Sequence, residues 1–199
     1  MQFHLQFESD IAEQDVKLVT YKIMIHPGDK VTEDAKSFKK ILFDNCGKYD
    51  SVNSPPHITI ASFSMDEQRE DILVKQLDKF TSSASPFSVS VNNFNFFDTV
   101  QGHGVAYLSI QNKEPIIQLQ TLINIVLKID VRVNKKYLLK TKVPHITIGK
   151  NLDKTKLEKS KEIFSGKEYS SNFTVDKIVL LKQQSQNKYH EVCKEFYFF

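Results

Sequence analysis

The chain of 199 residues contains only two cysteines, and they do not form a C-x-x-C motif. Isolated cysteines such as Cys46 and Cys193 argue against a disulfide framework and fit a reducing cytoplasm. Apolar runs are also short, since none approaches the roughly 18 residues that a membrane-spanning helix needs. The N-terminal residues lack the basic start and the apolar block of a signal peptide. We therefore expect a cytoplasmic protein that does not contact a membrane.

Charge of either sign is not in strong excess, because the formal net charge is +3 and the pI is near 8.7. The lysines are spread along the chain, as on solvated surfaces, so an anionic substrate is permitted but not required. The sequence has no low-complexity segment and no obvious linker. We expect residues 1–199 to form one monomeric domain, with residues 1–15 as a poorly ordered extension or an edge strand.

Hydrophobic periodicity predicts that one strand–helix pattern is used twice. In the first half, residues 16–25 read as a strand, and Thr32 is predicted to cap a helix that stops at Gly47. A possible capping box of Ser64 and Glu67 then predicts the start of a second helix. The predicted elements of the second half are, in order, strands at 87–97 and 105–111, a helix from Pro115, a helix from Asp153 to Gly166, and strands at 173–182 and 189–199 joined by a turn near 186–187.

Each half also contains the pentapeptide Pro-His-Ile-Thr-Ile, first at residues 56–60 and again at residues 144–148. Proline suits the first residue of a strand, and the side chains that follow alternate between the two faces of the sheet. At each site the histidine and the threonine therefore share one face, while the two isoleucines take the core side.

The two polar pairs, His57 with Thr59 and His145 with Thr147, are the candidate catalytic residues. A single pair of this kind usually means only a half-solvated sheet face. A duplicated architecture explains repeated isoleucines, but it does not explain an identical polar pair, because surface positions drift freely. Two histidines can act as acid and base near neutral pH, and each threonine can donate a hydrogen bond to a phosphate oxygen. This combination suits an in-line displacement at phosphorus.

Other chemistries have less support in the sequence. A metal site needs a third and usually a fourth ligand, and neither motif has a nearby Asp, Glu or Cys at ligand spacing. A nucleophilic serine is not supported either, because the sequence contains no G-x-S-x-G motif. We therefore expect no metal and no cofactor. A module that only binds RNA or a nucleotide is the alternative from another class, although a pure binder needs no proton donor.

The paired motifs resemble those of the 2H phosphoesterases, a family that includes 2′-5′ RNA ligase-like proteins and cyclic phosphodiesterases. The resemblance rests on HITI at both sites and spans roughly residues 16–199. It implies a bilobal α+β fold, with an antiparallel sheet and outer helices in each of two pseudo-symmetric lobes and the active-site groove between the sheets. It also implies metal-independent hydrolysis of 2′,3′-cyclic phosphate ends of RNA or nucleotides, and in some members reversible 2′-5′ ligation. Hydrolysis of 2′-5′ linkages, or of another cyclic phosphate metabolite, is the alternative within enzymes.

Applied to this chain, the resemblance implies that His57 and His145 are the catalytic pair and that the two threonines hold the phosphate. We favour His145 as the base and His57 as the acid, although such similar motifs also allow the reverse. The family's basic residue after the second motif is commonly arginine; here it is Lys150, which would act on phosphate as a point charge. Tyr107 is a candidate for stacking on a base, with a rim position as the alternative. Phe63, just past the first motif, is a weaker substrate-binding candidate, because a phenylalanine in such a place is more often part of the core.

Overall fold

The computed structural model describes residues 17–98, 103–139, 143–183 and 190–199. The predicted turn near 186–187 and residues 1–15 lie outside these ranges. The strands are β1 (Leu18–Ile25), β2 (Ile58–Asp66), β3 (Phe87–Asp98), β4 (Gly104–Ile110), β5 (His145–Leu152), β6 (Ser170–Val175), β7 (Lys177–Gln183) and β8 (Glu191–Tyr197). The α-helices are α1 (Asp29–Cys46), α2 (Glu70–Thr81), α3 (Glu114–Ile125) and α4 (Lys154–Phe164). Within the described ranges, no helix is long and apolar enough to span a membrane.

Two four-stranded antiparallel sheets define two lobes. The first sheet has the order β2-β1-β7-β8, and the second has the order β5-β4-β3-β6. The two motif strands lie at the edges of their sheets. Strand β2 pairs with β1, and β5 pairs with β4. The bilobal α+β fold and the repeated order of strand, helix, motif strand and helix are therefore confirmed.

The helices that connect these strands interlock the two lobes. Helix α1 joins β1 to β2 of the first sheet, yet it packs on β5 and β6 of the second. Helix α3 joins β4 to β5 of the second sheet, yet it packs on β2 of the first. The contact at β5 is close, because a Cβ added at Gly149 would lie 2.6 Å from Leu42 Cδ2. One continuous apolar core consequently contains residues of both sheets and holds the two motif strands together.

Helix starts differ from the prediction in two places. Helix α1 begins before the predicted cap, so Thr32 lies inside its first turn and donates its hydroxyl hydrogen to Pro27 O at 2.8 Å. Ser64 does not cap the second helix, because β2 continues beyond it to Asp66. The Asp66 side chain accepts a hydrogen bond from the Gln68 N–H and begins the short turn that leads into α2. A cap therefore exists near the predicted place, but a different residue provides it.

The closing segment differs more substantially. The strand predicted at residues 173–182 is two strands in different sheets, with Asp176 between them. Strand β6 pairs with β3 in the second sheet, whereas β7 pairs with β1 in the first. Both segments are rich in apolar and β-branched residues, so the local pattern shows no boundary. The crossing is set by pairing with strands that are distant in sequence.

Candidate active site

The two pentapeptides meet at one groove. A cavity of about 270 Å³ is lined by His57, Thr59, His145 and Thr147 together. A second cavity of about 300 Å³ shares these four side chains. The motif side chains therefore converge on one place, as alternation along the two strands predicts. Their catalytic roles stay predictions.

Both histidine rings are anchored by the same backbone contact. His57 Nδ1 lies 2.8 Å from Pro55 O, and His145 Nδ1 lies 2.8 Å from Val143 O. A carbonyl oxygen can only accept a hydrogen bond, so each Nδ1 carries the hydrogen and donates it. In the neutral ring, Nε2 then holds the lone pair and is the atom that can take up a proton. The chain thus presents two imidazoles in equivalent tautomers.

Each motif strand also contains a β-bulge at the last isoleucine of the pentapeptide. In β2, Thr59 and Ala61 pair with consecutive residues of β1, which leaves Ile60 without a partner. In β5, Ile148 is skipped in the same way opposite β4. A bulge inserts one residue into the strand, so every side chain beyond it changes face.

The bulges decide where the residues after each motif point. Under plain alternation Lys150 would share the core side with the isoleucines, but beyond the bulge it lines both cavities. Under the same alternation Phe63 would share the histidine face. It is instead only 1% exposed and stacks on Tyr21, with ring centroids 5.7 Å apart. The prediction that Phe63 contacts substrate is therefore wrong. In β5 the sequence itself gives a sign of the bulge. Gly149 is an isolated glycine in a strand pattern, and such a glycine often marks a bulge.

Lysines give the groove a positive character. Lys22 and Lys150 line both cavities, and Lys39 lines the first. No carboxylate is found among the described residues around either cavity. Burial, followed by the charge of Lys150, lowers the pKa of Lys22. Cations held close together disfavour one another, and an anionic ligand would relieve that cost. Lys22 could not be predicted from the sequence, because it alternates with buried residues of β1 and belongs to no motif.

Lys39 is a buried lysine, which is rare in proteins. It is 4% exposed, and its Nζ donates hydrogen bonds of 2.7 Å to the carbonyl oxygens of both Ser51 and Ser54. Burial lowers its pKa to about 8. Ser51 Oγ in turn accepts a 2.9 Å hydrogen bond from the backbone N–H of Lys150. These contacts tie the loop that precedes His57 to the strand that carries the second motif.

His57 is neutral at neutral pH. Burial lowers its pKa to about 4, and the charges of Lys22 and Lys39 act in the same direction. The hydrogen bond to Pro55 O acts in the opposite direction but does not prevail. The ring is only half-buried, so it still reaches the groove while the protonated form is disfavoured.

His145 has aromatic neighbours instead. Its ring centroid lies 5.8 Å from that of Phe97 and 5.1 Å from that of Tyr107. Tyr107 pairs with Thr147 across the sheet, and burial raises the pKa of its hydroxyl. Tyr107 therefore packs against the second motif, and its contact with a substrate base stays a prediction. Phe97 also lines the first cavity. Phe97 could not be predicted from the sequence, because nothing in the local pattern distinguishes it from the other phenylalanines of β3.

In the part of the chain that the structure describes, no three His, Cys, Asp or Glu side chains are grouped so that they could hold a metal ion.

Solved structures share this two-lobed fold. The chain resembles Escherichia coli LigT in complex with 3′-AMP with a TM-score of 0.65 and 11% identity, over 92% of this chain and 99% of LigT. It resembles a protein of Thermus thermophilus with a TM-score of 0.65 and 13% identity, over 90% of this chain and 97% of that one. At such low identity the likeness establishes the class of fold, that of LigT.

Sequence comparison identifies the family. A presumed phosphoesterase of Geobacillus sp. (strain WCH70) is 28% identical over 135 residues, which cover 66% of this chain and 69% of the relative. A second, from Halalkalibacterium halodurans, is 24% identical over 168 residues, or 83% and 90% of the two chains. The model of the 2′-5′ RNA ligase superfamily matches residues 27–187. The chain therefore belongs to the 2′-5′ RNA ligase superfamily, as the resemblance at the two motifs predicts.

Proposed function

We propose that this protein is a metal-independent phosphodiesterase that opens 2′,3′-cyclic phosphate ends of RNA or nucleotides. The observation that carries this proposal is the convergence of two identically anchored histidines and two threonines on one lysine-lined cavity. The superfamily supports a reaction at a phosphoester. LigT, whose fold is similar, binds 3′-AMP, a molecule of the kind that opening of a cyclic phosphate releases.

The proposed reaction is an in-line displacement by water. Nε2 of one histidine removes a proton from the water as its oxygen bonds to phosphorus. The bond between phosphorus and one ribose oxygen breaks, and the other histidine gives its proton to that oxygen. The product is a phosphomonoester beside a free hydroxyl. Thr59 and Thr147 donate hydrogen bonds to the non-bridging oxygens as charge accumulates there, and Lys22 and Lys150 neutralise that charge.

The lowered pKa of His57 favours this residue as the base. A base must begin the reaction neutral. Because the pKa of His57 is lowered to about 4, this ring is already deprotonated at neutral pH. His145 then supplies the proton to the leaving oxygen. This assignment reverses the one favoured from the sequence. The bound phosphate counteracts the repulsion from Lys22 and Lys39, so His57 can hold the proton during the reaction.

The same groups support ligation. If the 5′-hydroxyl of a second RNA replaced water, attack on the cyclic phosphate would expel the 3′-oxygen and form a 2′-5′ linkage. The histidines keep the roles they have in hydrolysis, because the 5′-hydroxyl takes the place of water, and they exchange roles when the 2′-5′ linkage is cleaved back to the cyclic phosphate. Ligation is therefore a second activity of the proposed site and needs no further residue.

Hydrolysis of adenosine 2′,3′-cyclic monophosphate by the purified protein tests the proposal. We expect turnover to a single phosphomonoester, identified as the 2′ or the 3′ isomer by chromatography, with an excess of chelator present. The His57→Ala/His145→Ala double variant is the negative control. Tight binding of the cyclic nucleotide and of a cyclic-phosphate-ended RNA, without turnover of either, would instead identify a binding module.

A further inference from the structure

A larger pocket lies beside the catalytic groove and has no role in the reaction proposed above. Its volume is about 730 Å³, compared with about 270 Å³ for the cavity around the two histidines. Helix α1 and residues 48–56 form much of its wall. We call it the outer pocket. Volumes of about 300–1,000 Å³ are typical of pockets that enclose small ligands, so the outer pocket is large enough for a nucleotide.

The outer pocket and the catalytic cavity are neighbours along one surface. Lys39, Ser54 and Pro55 line both of them. Pro55 O is also the acceptor that anchors His57. A ligand that extends from the catalytic cavity across this shared wall therefore enters the outer pocket.

The charge of the outer pocket suits a phosphate-bearing ligand. Four lysines line it, namely Lys36, Lys39, Lys40 and Lys48, and no carboxylate is among its described lining residues. Lys36 and Lys40 make ion pairs with Glu33 and Asp44 on α1, but the side chains of both pairs are at least half exposed. Exposed pairs of this kind contribute little to stability, so a phosphate can compete for these two lysines.

The outer pocket also offers an aromatic surface. The Phe43 side chain lines it and is 42% exposed. A large apolar ring left in contact with solvent, surrounded by lysines, is the combination on which single-stranded nucleic acids bind, since bases stack on the ring while phosphates approach the cations. An acidic peptide would use the lysines but would leave the ring without a stacking partner.

We propose that the outer pocket binds the RNA nucleotide on the 5′ side of the cyclic phosphate end, with its phosphate near Lys40 and Lys48 and its base against Phe43. The inference rests on the proposed function, because it takes the cyclic end to occupy the catalytic groove. The 5′-linked neighbour of that end must leave the small cavity, and the shared wall at Lys39 leads it into the outer pocket. The preferred substrate is then an RNA strand instead of a free cyclic mononucleotide.

The test compares two substrates on three proteins. The substrates are a short single-stranded RNA with a 2′,3′-cyclic phosphate end and adenosine 2′,3′-cyclic monophosphate. The proteins are the wild type, a Lys40→Glu/Lys48→Glu/Phe43→Ala variant, and a Lys75→Glu/Lys79→Glu control on α2, whose lysines are exposed and line none of these pockets. We expect the pocket variant to lose about 10- to 100-fold in kcat/KM on RNA, and less than about twofold on the mononucleotide.

A salt series adds a second readout. The logarithm of the affinity for single-stranded RNA should fall less steeply with salt in the pocket variant, by about 0.7 for each phosphate contact that is lost. An equal loss on both substrates, or an equal loss in the control variant, would reduce the effect to general electrostatics and overturn the proposal. An unchanged preference for RNA would overturn it as well.

Failure of the proposed function can be recognised separately. If the wild type turns over neither substrate, the catalytic proposal is wrong. Binding of a fluorescent RNA with a 3′-phosphate end, measured on the same three proteins, then still tests the outer pocket. Binding equal to that of the wild type in the pocket variant would reject the outer pocket as an RNA site. Tighter binding of an acidic peptide than of RNA by the wild type would reject it too, and would assign the pocket to a protein partner.

Discussion

The two lobes contain the same pentapeptide but surround its histidine with different neighbours. In both lobes the histidine Nδ1 contacts the carbonyl oxygen two residues before it, and a bulge follows at the last isoleucine. The neighbours then diverge. Lys22 and Lys39 act on His57, whereas the rings of Phe97 and Tyr107 contact His145. Identical local sequence therefore produces identical local geometry, while the surrounding lobe gives each histidine different neighbours and lowers the pKa of His57.

The largest expected effect tests whether both lobes are needed. His57→Ala and His145→Ala should each lower kcat by ~10²–10⁴, because general acid and general base catalysis contribute that much, or about 3–5 kcal/mol of barrier. Folding should change little, since each ring is only half-buried. Steady-state kinetics with circular dichroism as the folding check measure both effects.

His103→Ala is the matched control, because His103 is exposed and lines neither cavity. The His57→Ala/His145→Ala double variant should lose far less than the product of the two single losses, since residues that act as a unit are not additive. A folded double variant with the wild-type rate would disprove the mechanism. If only one of the two single variants had a lower kcat, the two lobes would not contribute equally to catalysis.

The threonines come next in size. Thr59→Ala or Thr147→Ala should lower kcat by ~10–10³, as the loss of one hydrogen bond to a charged oxygen. Similar losses at both positions would extend the symmetry of the lobes to phosphate binding. Thr174→Ala is the control, because Thr174 is an exposed strand threonine outside both cavities. If either motif variant behaves like this control, that threonine does not hold the phosphate.

A pH profile sharpens the difference between the lobes. Because the pKa of His57 is lowered to about 4, the base stays neutral as pH falls, and kcat/KM should hold until about pH 5 instead of falling near the ordinary histidine value of about 6.5. Lys22→Gln removes a repelling charge, so the pKa of His57 should rise and the acid limb should move to higher pH. The position of the limb is read independently of the overall rate.

Tyr107→Phe provides the comparison from the other lobe. It changes an uncharged neighbour of His145, so the acid limb should stay in place. An acid limb near pH 6.5 in the wild type, or one that Lys22→Gln does not move, would contradict the assignment of His57 as the base.

Removal of metal ions should have the smallest effect on activity. An excess of chelator should change kcat by less than about twofold, because proton transfer and hydrogen bonding need no metal ion. The measurement is the rate before and after dialysis against chelator, followed by addition of Zn²⁺ or Mn²⁺. Loss of activity that either ion restores would replace the two-histidine mechanism with a metal-dependent one.

Several features of the fold and site could be predicted from local sequence. Within each pentapeptide the histidine and the threonine are two residues apart. This spacing predicts that they share one strand face, because alternation is a property of any extended chain. The strand–helix order followed from hydrophobic periods that each element carries within itself. The convergence of the two pairs followed from the repeat, and membership of the superfamily followed from the resemblance.

Only the tertiary structure decided what surrounds each motif. The bulges at Ile60 and Ile148 arise where strands pair, and they turn Phe63 into the core and Lys150 into the groove. Lys22 comes from a neighbouring strand and Lys39 from a helix that packs on the opposite sheet. These are contacts between segments distant in sequence, so no local pattern contains them. The sequence therefore determined the two histidine–threonine pairs and the strand face that each pair shares, while long-range packing determined their electrostatic environments, because burial and neighbouring charge exist only once the chain has folded.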